Sequence, residues 1–320
     1  MAKVLESAKY VSGKSNLVAI EKEKIDQFVK QIISHCLALP AWDSRYHFFD
    51  GTEKTVSYFL VLDSLNFCFW SKAREPRWEI EYQSQKLSGY IGLAASLKMA
   101  VQEGAPILEP GFLSEMTLDE LKRLIGGKNE LQLMQERQMI LNELGQVLLE
   151  NYQGQAVYLV EEASGSATKL AFLLAEKFNS FKDMARYKDR QVLFLKRAQI
   201  FVADLYGAFR GKEWGRFKDM AELTAFADYK LPQVLRHLGI LNYSPELAQM
   251  VDNQVLLSPG SAEEIEIRAN TIWAVEVIRQ ELERCGRKTR AFEIDWLLWN
   301  MGQEDTYRAK PYHRTVTIFY

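Results

Sequence analysis

Apolar residues recur at intervals of three and four along most of this chain, and that spacing constrains its fold more than any other feature. Within residues 264–284, Ile272, Val275, Ile278 and Leu282 fall on a single stripe. Such a stripe is the buried face of an amphipathic helix. The same spacing recurs in residues 25–33, 90–104, 117–127, 133–150, 169–178, 196–210 and 291–299. The pattern predicts a mainly α fold.

Two regions depart from helical spacing. Residues 56–70 are apolar and aromatic beyond the needs of one helix face, and residues 78–83 look extended. Because β-branched and aromatic residues favour strands, we expect a small β-hairpin or sheet here. Residues 315–320 are also β-prone, but their terminal aromatic side chains favour docking against the body of the protein.

Residues 226–241, FADYKLPQVLRHLGIL, contain the most specific local signal. Pro232 suits the first turn of a helix, and Gly239 can end that helix because glycine tolerates positive φ. Val234, Leu235 and Leu238 would form its apolar face. The segment is typical of a helix followed by a tight turn and a second helix.

The chain has 320 residues, of which 48% are hydrophobic, and can therefore bury a large core. We find no internal repeat, low-complexity tract or flexible linker. We therefore expect one compact domain over residues 1–320. The first forty or so residues look helical and carry no functional signal.

The charge balance excludes several classes of partner. The formal net charge is −2, so no overall positive field attracts a nucleic-acid backbone or an anionic membrane. The N-terminus lacks the apolar core of a signal peptide, and no segment is apolar enough to span a membrane. The three cysteines are widely spaced, which favours a reducing, cytoplasmic setting over a disulfide framework or a zinc site.

Familiar catalytic motifs are absent from the sequence, including GxGxxG, the Walker phosphate loop, GxSxG and HExxH. The four histidines lack metal-ligand spacing, so we expect neither a metal nor an organic cofactor. What remains is four aspartates embedded in aromatic and apolar sequence. An aspartate there must be exposed, paired or hydrogen-bonded, because burying an isolated carboxylate is costly. These residues are Asp63, Asp204, Asp228 and Asp295.

Five segments, in order along the chain, are together similar to the queuosine salvage family of queuosine 5'-phosphate N-glycosylase/hydrolases. The resemblance extends from about His47 to His313. It implies a helical fold similar to base-excision DNA glycosylases, with a helix-hairpin-helix element. It also implies hydrolysis of a nucleotide N-glycosidic bond that releases queuine for tRNA modification. The segments are LDSLNFCFWS (62–71), LKRAQIFVAD (195–204), FADYKLPQVLRHLG (226–239), EIEIRA (264–269) and FEIDWLLW (292–299).

The same resemblance implies roles for individual residues. Asp228 in FADY matches the catalytic aspartate of the family. The implied contacts to the base are His47, Phe226, Asp295, Trp296 and Asn300. The sequence departs from some relatives at two of these positions, where Trp296 and Asn300 stand in place of tyrosine and a second aspartate.

The implied chemistry suits these residue types. Cleavage of a nucleoside bond builds positive charge on the anomeric carbon, which a carboxylate such as Asp228 can stabilise or attack. Asp295 can accept two neighbouring N–H groups of a guanine-like edge. We expect Lys196 and Arg197 to bind the 5'-phosphate. Asp204, Glu266 and Arg268 are interpreted as scaffold residues, and Asp63 and Asn66 as structural hydrogen-bonding residues beside the pocket.

Two other functions remain open. A DNA-repair type of base glycosylase would share the fold but needs a basic surface for duplex DNA. A deazaguanine-binding protein without catalysis would use Asp228 only as a hydrogen-bond acceptor. The sequence favours a small-molecule nucleotide substrate over nucleic acid or membrane partners. It leaves open the oligomeric state and the choice between covalent and water attack.

Overall fold

The computed structural model describes residues 1–34, 42–71 and 75–320 and is dominated by helices. Its described residues form fourteen α-helices: α1 (Ala2–Ser12), α2 (Lys22–Ser34), α3 (Glu53–Ser64), α4 (Gly89–Gln102), α5 (Pro110–Glu115), α6 (Leu118–Ile125), α7 (Met134–Tyr152), α8 (Ala156–Glu162), α9 (Ala167–Lys177), α10 (Lys196–Ala208), α11 (Lys230–His237), α12 (Pro245–Asp252), α13 (Ala262–Arg284) and α14 (Ala291–Met301).

Short strands form three antiparallel pairs within the same residues. They are β1 (Val18–Ile20) with β6 (Leu241–Tyr243), β2 (Glu79–Tyr82) with β3 (Gln85–Ser88), and β4 (Met184–Tyr187) with β5 (Arg190–Leu193). The predicted mainly α fold with a small β component is therefore confirmed. The first forty residues contain β1 as well as α1 and α2, and residues 35–41 lie outside the described part.

The prediction of a small hairpin or sheet within residues 56–83 is correct for only one of its two segments. Residues 79–88 form β2 and β3, whereas most of the 56–70 segment belongs to helix α3. That helix buries Val56 and every residue from Tyr58 to Ser64. Because it is surrounded by protein, α3 lacks the polar face that makes a helix recognisable from periodicity.

Two hydrophobic cores are joined by helix α13. Ile265, Ala269 and Ile272 belong to the larger core, which also receives α3, α4 and α7 to α10. Val275 and Ile278 belong to the second core, built with α2, α11, α12 and α14. This shared helix favours the single-domain interpretation of residues 1–320, which stays a prediction.

The 226–241 segment follows its predicted pattern only in part. Helix α11 has Pro232 in its first turn, and Gly239 beyond its end adopts φ +72°. The chain then enters β6, whose Leu241 pairs with Ile20, and the next helix starts only at Pro245. The helix-hairpin-helix element is therefore not confirmed.

The C-terminal tail docks against the body of the protein, as expected. The Tyr320 carbonyl accepts a hydrogen bond from the Cys68 N–H at 2.9 Å, and the Tyr320 side chain is buried. The Arg268 guanidinium lies 4.1 Å from the centre of the Tyr320 ring. This docking brings residues 308–320 to the cavity described below. Across the described ranges, no helix combines the length and apolar character needed to cross a bilayer.

Candidate active site

A cavity of about 690 Å³ lies where α10, α11, α14 and the C-terminal tail meet. Pockets of this size suit ligands as large as a nucleotide. The cavity contains seven of the eight residues predicted to form the site. They are His47, Lys196, Phe226, Asp228, Asp295, Trp296 and Asn300.

Asp228 lies immediately before helix α11 and is held by that helix. Its Oδ1 accepts hydrogen bonds from the backbone N–H of Lys230 at 2.7 Å and of Leu231 at 3.0 Å. Both donors reach the same oxygen, which leaves Oδ2 for the cavity. The side chain is nearly buried, so its carboxylate is oriented before any ligand arrives.

Asp295 connects helix α14 to the segment that carries Asp228. Its Oδ2 accepts a hydrogen bond from the Phe226 N–H at 2.7 Å. Burial raises the pKa of Asp295 well above its usual range, and the nearby Asp228 charge adds to that rise. Asp228 has its own pKa raised by burial, but Lys196 and the two backbone donors oppose the rise. Asp228 is therefore the better stabilised anion of the two.

Lys196 is the buried cation beside these carboxylates. Its Nζ donates to the backbone oxygen of Asn66 at 2.9 Å and to Asn66 Oδ1 at 3.4 Å. Burial lowers the Lys196 pKa to about 8, although Asp228, Asp63 and Asp295 oppose this effect. Lys196 therefore lines the cavity as a cation whose charge is partly balanced by these carboxylates.

Arg197 does not reach the cavity, which corrects the expectation that it binds phosphate there. Its guanidinium is buried and donates to the backbone oxygens of Asp63, Ser64 and Ser180. Neighbours on an α-helix point about 100° apart, so Lys196 and Arg197 face different surroundings. Arg197 is a structural residue that joins α10 to the end of α3.

Arg268 supports the Asp228 segment from behind. Its Nε donates to the Ala227 carbonyl at 3.0 Å, and its guanidinium pairs with Asp183 at 2.7 Å. Asp183 also accepts the Lys196 N–H at 3.1 Å. Glu266 instead binds the Asn16 and Leu17 N–H groups. The two α13 residues therefore bond in different directions, as the scaffold interpretation requires.

A second wall of the cavity consists of His47, Tyr90 and Asp204. His47 Nδ1 lies 2.7 Å from the Asp43 carbonyl oxygen, and its Nε2 lies 2.9 Å from the Tyr90 hydroxyl. That hydroxyl lies 3.0 Å from Asp204 Oδ2, while Trp42 donates to Asp204 Oδ1 at 3.2 Å. Asp204 therefore belongs to the cavity as well as to the scaffold.

The proton positions in this wall depend on three neighbouring groups, His47, Tyr90 and Asp204. The contact with the Asp43 carbonyl requires a proton on His47 Nδ1, and the single Tyr90 proton can serve only one of its two neighbours. A further proton on Asp204 or on His47 Nε2 would allow both contacts of the Tyr90 hydroxyl to be hydrogen bonds. Burial lowers the His47 pKa to about 4 and raises the Asp204 pKa to about 6, so the proton resides on Asp204 at mildly acidic pH.

Aromatic rings border the cavity between the two walls. Phe226 is buried, whereas Trp296 and Trp299 are partly exposed. The Trp299 ring meets Tyr90 edge to face at 6.1 Å. Asn300 is exposed at the rim and donates to the Trp296 carbonyl at 2.7 Å. Flat apolar rings can stack against a planar base.

Asp63 corrects part of the interpretation of the pocket surroundings. It is fully buried behind the cavity, and neither carboxylate oxygen has a hydrogen bond in the described residues. Burial raises its pKa well above the usual range, and the neighbouring Asp204 contributes. These surroundings favour the neutral form of Asp63, whereas Asn66 does bond, through its Oδ1, with Lys196.

Several cavity residues have no signal in the sequence. Trp42 and Tyr90 complete the wall around Asp204, and Arg77, Lys230 and Arg308 bring cations to the rim. Lys230 follows Asp228 by two positions, and the other four come from distant segments that only the folded chain brings together. Within the described ranges, histidine, cysteine and acidic residues form no group of three or more suited to a metal ion.

Comparison with known proteins gives a consistent result over nearly the whole chain. A model of the family "queuosine salvage protein" matches residues 46–320. Three similar proteins are each named queuosine 5'-phosphate N-glycosylase/hydrolase. The protein from Sphaerobacter thermophilus is 44% identical over 99% of this chain and 97% of its own length. Those from Dictyostelium discoideum and Bos taurus are 37% and 34% identical, over 99% and 98% of this chain and 98% of their own lengths.

Proposed function

Because this chain belongs to the queuosine salvage family, we propose that it hydrolyses the N-glycosidic bond of queuosine 5'-phosphate and releases queuine. The observation that carries the proposal is the Asp228 carboxylate, which has one oxygen fixed by two backbone N–H groups and the other left for the cavity. A fixed anion of this kind matches the positive charge that develops on the anomeric carbon.

Asp228 acts by one of two routes, direct attack or stabilisation of the cation during water attack. In direct attack, its Oδ2 forms a bond to the anomeric carbon while the bond to the base nitrogen breaks, and water later releases the sugar. In water attack, the carboxylate stabilises the developing cation while water adds to it. In both routes the electron pair of the broken bond leaves with the base, which takes up one proton. Lys196 favours the ionised form of Asp228 in either case, against the opposing effect of burial.

The base fits between the two walls in this proposal. Asp295 accepts hydrogen bonds from neighbouring N–H groups of the guanine-like edge, and these donors favour its ionised form. Phe226 and Trp296 stack against the ring, while His47 and Asn300 contact the outer part of the base. Lys196 lines the cavity and can also contact the phosphate, although its electrostatic partners are mainly carboxylates.

The proposed substrate is a small nucleotide rather than DNA or RNA. The net charge of −2 and the enclosing aromatic walls both favour a ligand that enters the cavity alone. The role needs no metal or organic cofactor, and we expect activity to survive chelation by EDTA. The small number of cysteines fits the reducing cytoplasm, which is the compartment we propose.

The first experiment compares wild-type protein with Asp228→Asn. Each is incubated with queuosine 5'-phosphate, and free queuine is followed by liquid chromatography with mass detection. We expect a loss of about a hundredfold or more, because the substitution removes the charge partner of the transition state. Asp119→Asn, an exposed aspartate in α6, is the matched control and keeps full activity.

Three outcomes contradict the proposal in different ways. Undiminished release by Asp228→Asn removes Asp228 from the chemistry but keeps the reaction. Saturable queuine binding by the wild type without any release favours the non-catalytic binding protein. A shift of duplex DNA that weakens with added salt revives the DNA glycosylase alternative.

A further inference from the structure

We infer that Lys230, Arg308 and Arg77 form the subsite for the 5'-phosphate of the nucleotide. This inference rests on the proposed function and deepens it, because it names the residues that distinguish a nucleotide from a nucleoside. All three side chains line the cavity. They differ from the pair expected from the sequence, of which Arg197 is buried away from the cavity.

Lys230 and Arg308 converge on one backbone oxygen. Lys230 Nζ donates to the Gly302 carbonyl at 3.4 Å, and Arg308 Nε donates to the same oxygen at 3.0 Å. A shared acceptor holds the two cations close together despite their mutual repulsion. Such an arrangement suits a ligand that can accept hydrogen bonds from both at once.

The charge of this cluster is poorly compensated by the protein. Arg308 has a long contact of 3.5 Å with Asp305, whose side chain is fully exposed. In the described residues, Lys230 and Arg77 have no ion pair. By contrast, Asp252, which also lines the cavity, pairs with Arg236 at 2.7 Å. A phosphate dianion would supply the missing negative charge.

Burial and the charges of Arg308 and Arg77 together lower the pKa of Lys230 to about 8, against the opposing effect of Asp228. A bound phosphate reverses the repulsion and favours the charged ammonium. The lysine therefore gains charge when a phosphate binds, which strengthens binding near neutral pH.

The position of the cluster fits one ribose unit. The Lys230 N–H donates to Asp228 Oδ1, so the lysine backbone lies beside the carboxylate that faces the anomeric carbon. The Lys230 side chain extends away from Asp228 to the Gly302 carbonyl, where it meets Arg308. A ribose 5-phosphate spans the same direction, with its anomeric carbon at Asp228 and its phosphate at Lys230 and Arg308.

The subsite is tested with Lys230→Met, Arg308→Met and Arg77→Met on two substrates, queuosine 5'-phosphate and queuosine. Losing one charged hydrogen bond lowers kcat/KM by roughly 10- to 100-fold. We expect that loss for the nucleotide in the Lys230 and Arg308 variants, mainly through KM, and a smaller loss for Arg77→Met. The rate on queuosine should change less than threefold, about 0.6 kcal/mol. Lys310→Met, an exposed lysine in the same tail, is the matched control.

Binding of ribose 5-phosphate separates this inference from the proposed function, because it requires no base and no turnover. Wild-type protein should bind ribose 5-phosphate in calorimetry, and Lys230→Met should weaken that binding at least tenfold. If queuine is never released but this binding is lost in the variant, the reaction fails while the subsite stands. Unchanged binding in both variants, or equal losses on nucleotide and nucleoside, overturns the subsite. Lys230→Gln repeats the test if the methionine variant is unfolded by circular dichroism.

Discussion

The two walls of the cavity use the same residue type in opposite ways. On one wall, Asp228 receives two backbone N–H groups and a nearby lysine, which favour the carboxylate anion. On the other wall, Asp204 receives Trp42 and shares a proton with Tyr90 and His47. Burial raises the Asp204 pKa to about 6. The hydrogen-bond donors around a buried aspartate, more than burial itself, therefore decide which role it can take.

The difference assigns each wall a part in the proposed reaction. An anion opposite the anomeric carbon stabilises the transition state, whereas the wall of Asp204, which takes up a proton as the pH falls through about 6, can then donate hydrogen bonds to the base without adding negative charge. Two ionised walls around one neutral base would repel each other across a medium of low dielectric constant. The contrast between Asp228 and Asp204 therefore limits the negative charge around the proposed base position when Asp204 is protonated.

The largest expected effect beyond Asp228 itself is at Asp295, on the same wall. Asp295→Asn keeps an oxygen for the Phe226 N–H but faces the N–H groups of the base with an amide of its own. We expect kcat/KM for queuosine 5'-phosphate to fall roughly 100-fold, and queuine to bind more weakly. Queuine release and equilibrium queuine binding are measured side by side, with Asp119→Asn as the control.

An effect of Asp295→Asn on kcat alone would contradict the proposed division of roles between Asp295 and Asp228. If Asp295→Asn binds queuine as tightly as the wild type, Asp295 does not recognise the base and belongs with Asp228 in the chemistry. Weaker binding with a parallel loss of kcat/KM keeps the division between recognition by Asp295 and catalysis by Asp228.

How far the sequence could predict this architecture depended on the surroundings of each helix. Helix α7 was predicted because Met134, Leu141, Leu144 and Leu148 occupy its one buried stripe. The sequence of helix α3 resembles a strand because the helix is buried on nearly every side. The second helix expected after Gly239 was replaced by β6, since pairing with distant β1 satisfies the backbone there. Periodicity reports one-sided burial and is silent about partners far along the chain.

The residues of the site also differ in how far the sequence could predict them. The residue types alone do not distinguish the four aspartates from one another. Only the family resemblance separates Asp228 and Asp295 from the other two. Nothing local distinguished Lys196, which reaches the cavity, from Arg197, which is buried in the core. Tyr90 and Arg308 join the cavity through tertiary contacts with residues more than a hundred positions away or in the docked tail. Such contacts are a property of the fold and have no signature in a short segment.

An intermediate effect is expected from Asp204→Asn, the same substitution on the opposite wall. The Asp204 pKa is about 6 in the folded protein and about 3.9 in an unfolded chain. The stability from its bound proton is therefore full below about pH 4 and is lost as the pH rises through about 6. Asparagine does not titrate, so the variant should gain a few degrees in Tm relative to wild type between pH 4.5 and 7.5.

Thermal unfolding of both proteins across that pH range measures this difference, because other titrating groups are common to the two. The charged and titratable groups facing Asp204 are Asp63, Lys196 and Tyr90, together with the Trp42 N–H. A Tm difference that does not change with pH, or that changes in favour of the wild type as pH rises, contradicts a proton held on Asp204. Activity of the variant should stay within about tenfold of wild type, far above that of Asp228→Asn.

The smallest expected effect comes from Tyr90→Phe, which removes only the hydroxyl that links His47 to Asp204. The Tyr90 and Trp42 contacts both lower the Asp204 pKa against the effect of burial. Losing one of them should raise that pKa, so the variant loses the stability of the bound proton at a higher pH than wild type does. The difference in Tm between Tyr90→Phe and Asp204→Asn should therefore change with pH, and the midpoint of that change should lie above about pH 6. Tyr158→Phe, at an exposed tyrosine on α8, should leave the midpoint unchanged. A midpoint that stays in place or falls in Tyr90→Phe would show that the hydroxyl does not hold Asp204, and the two walls would then differ by burial alone.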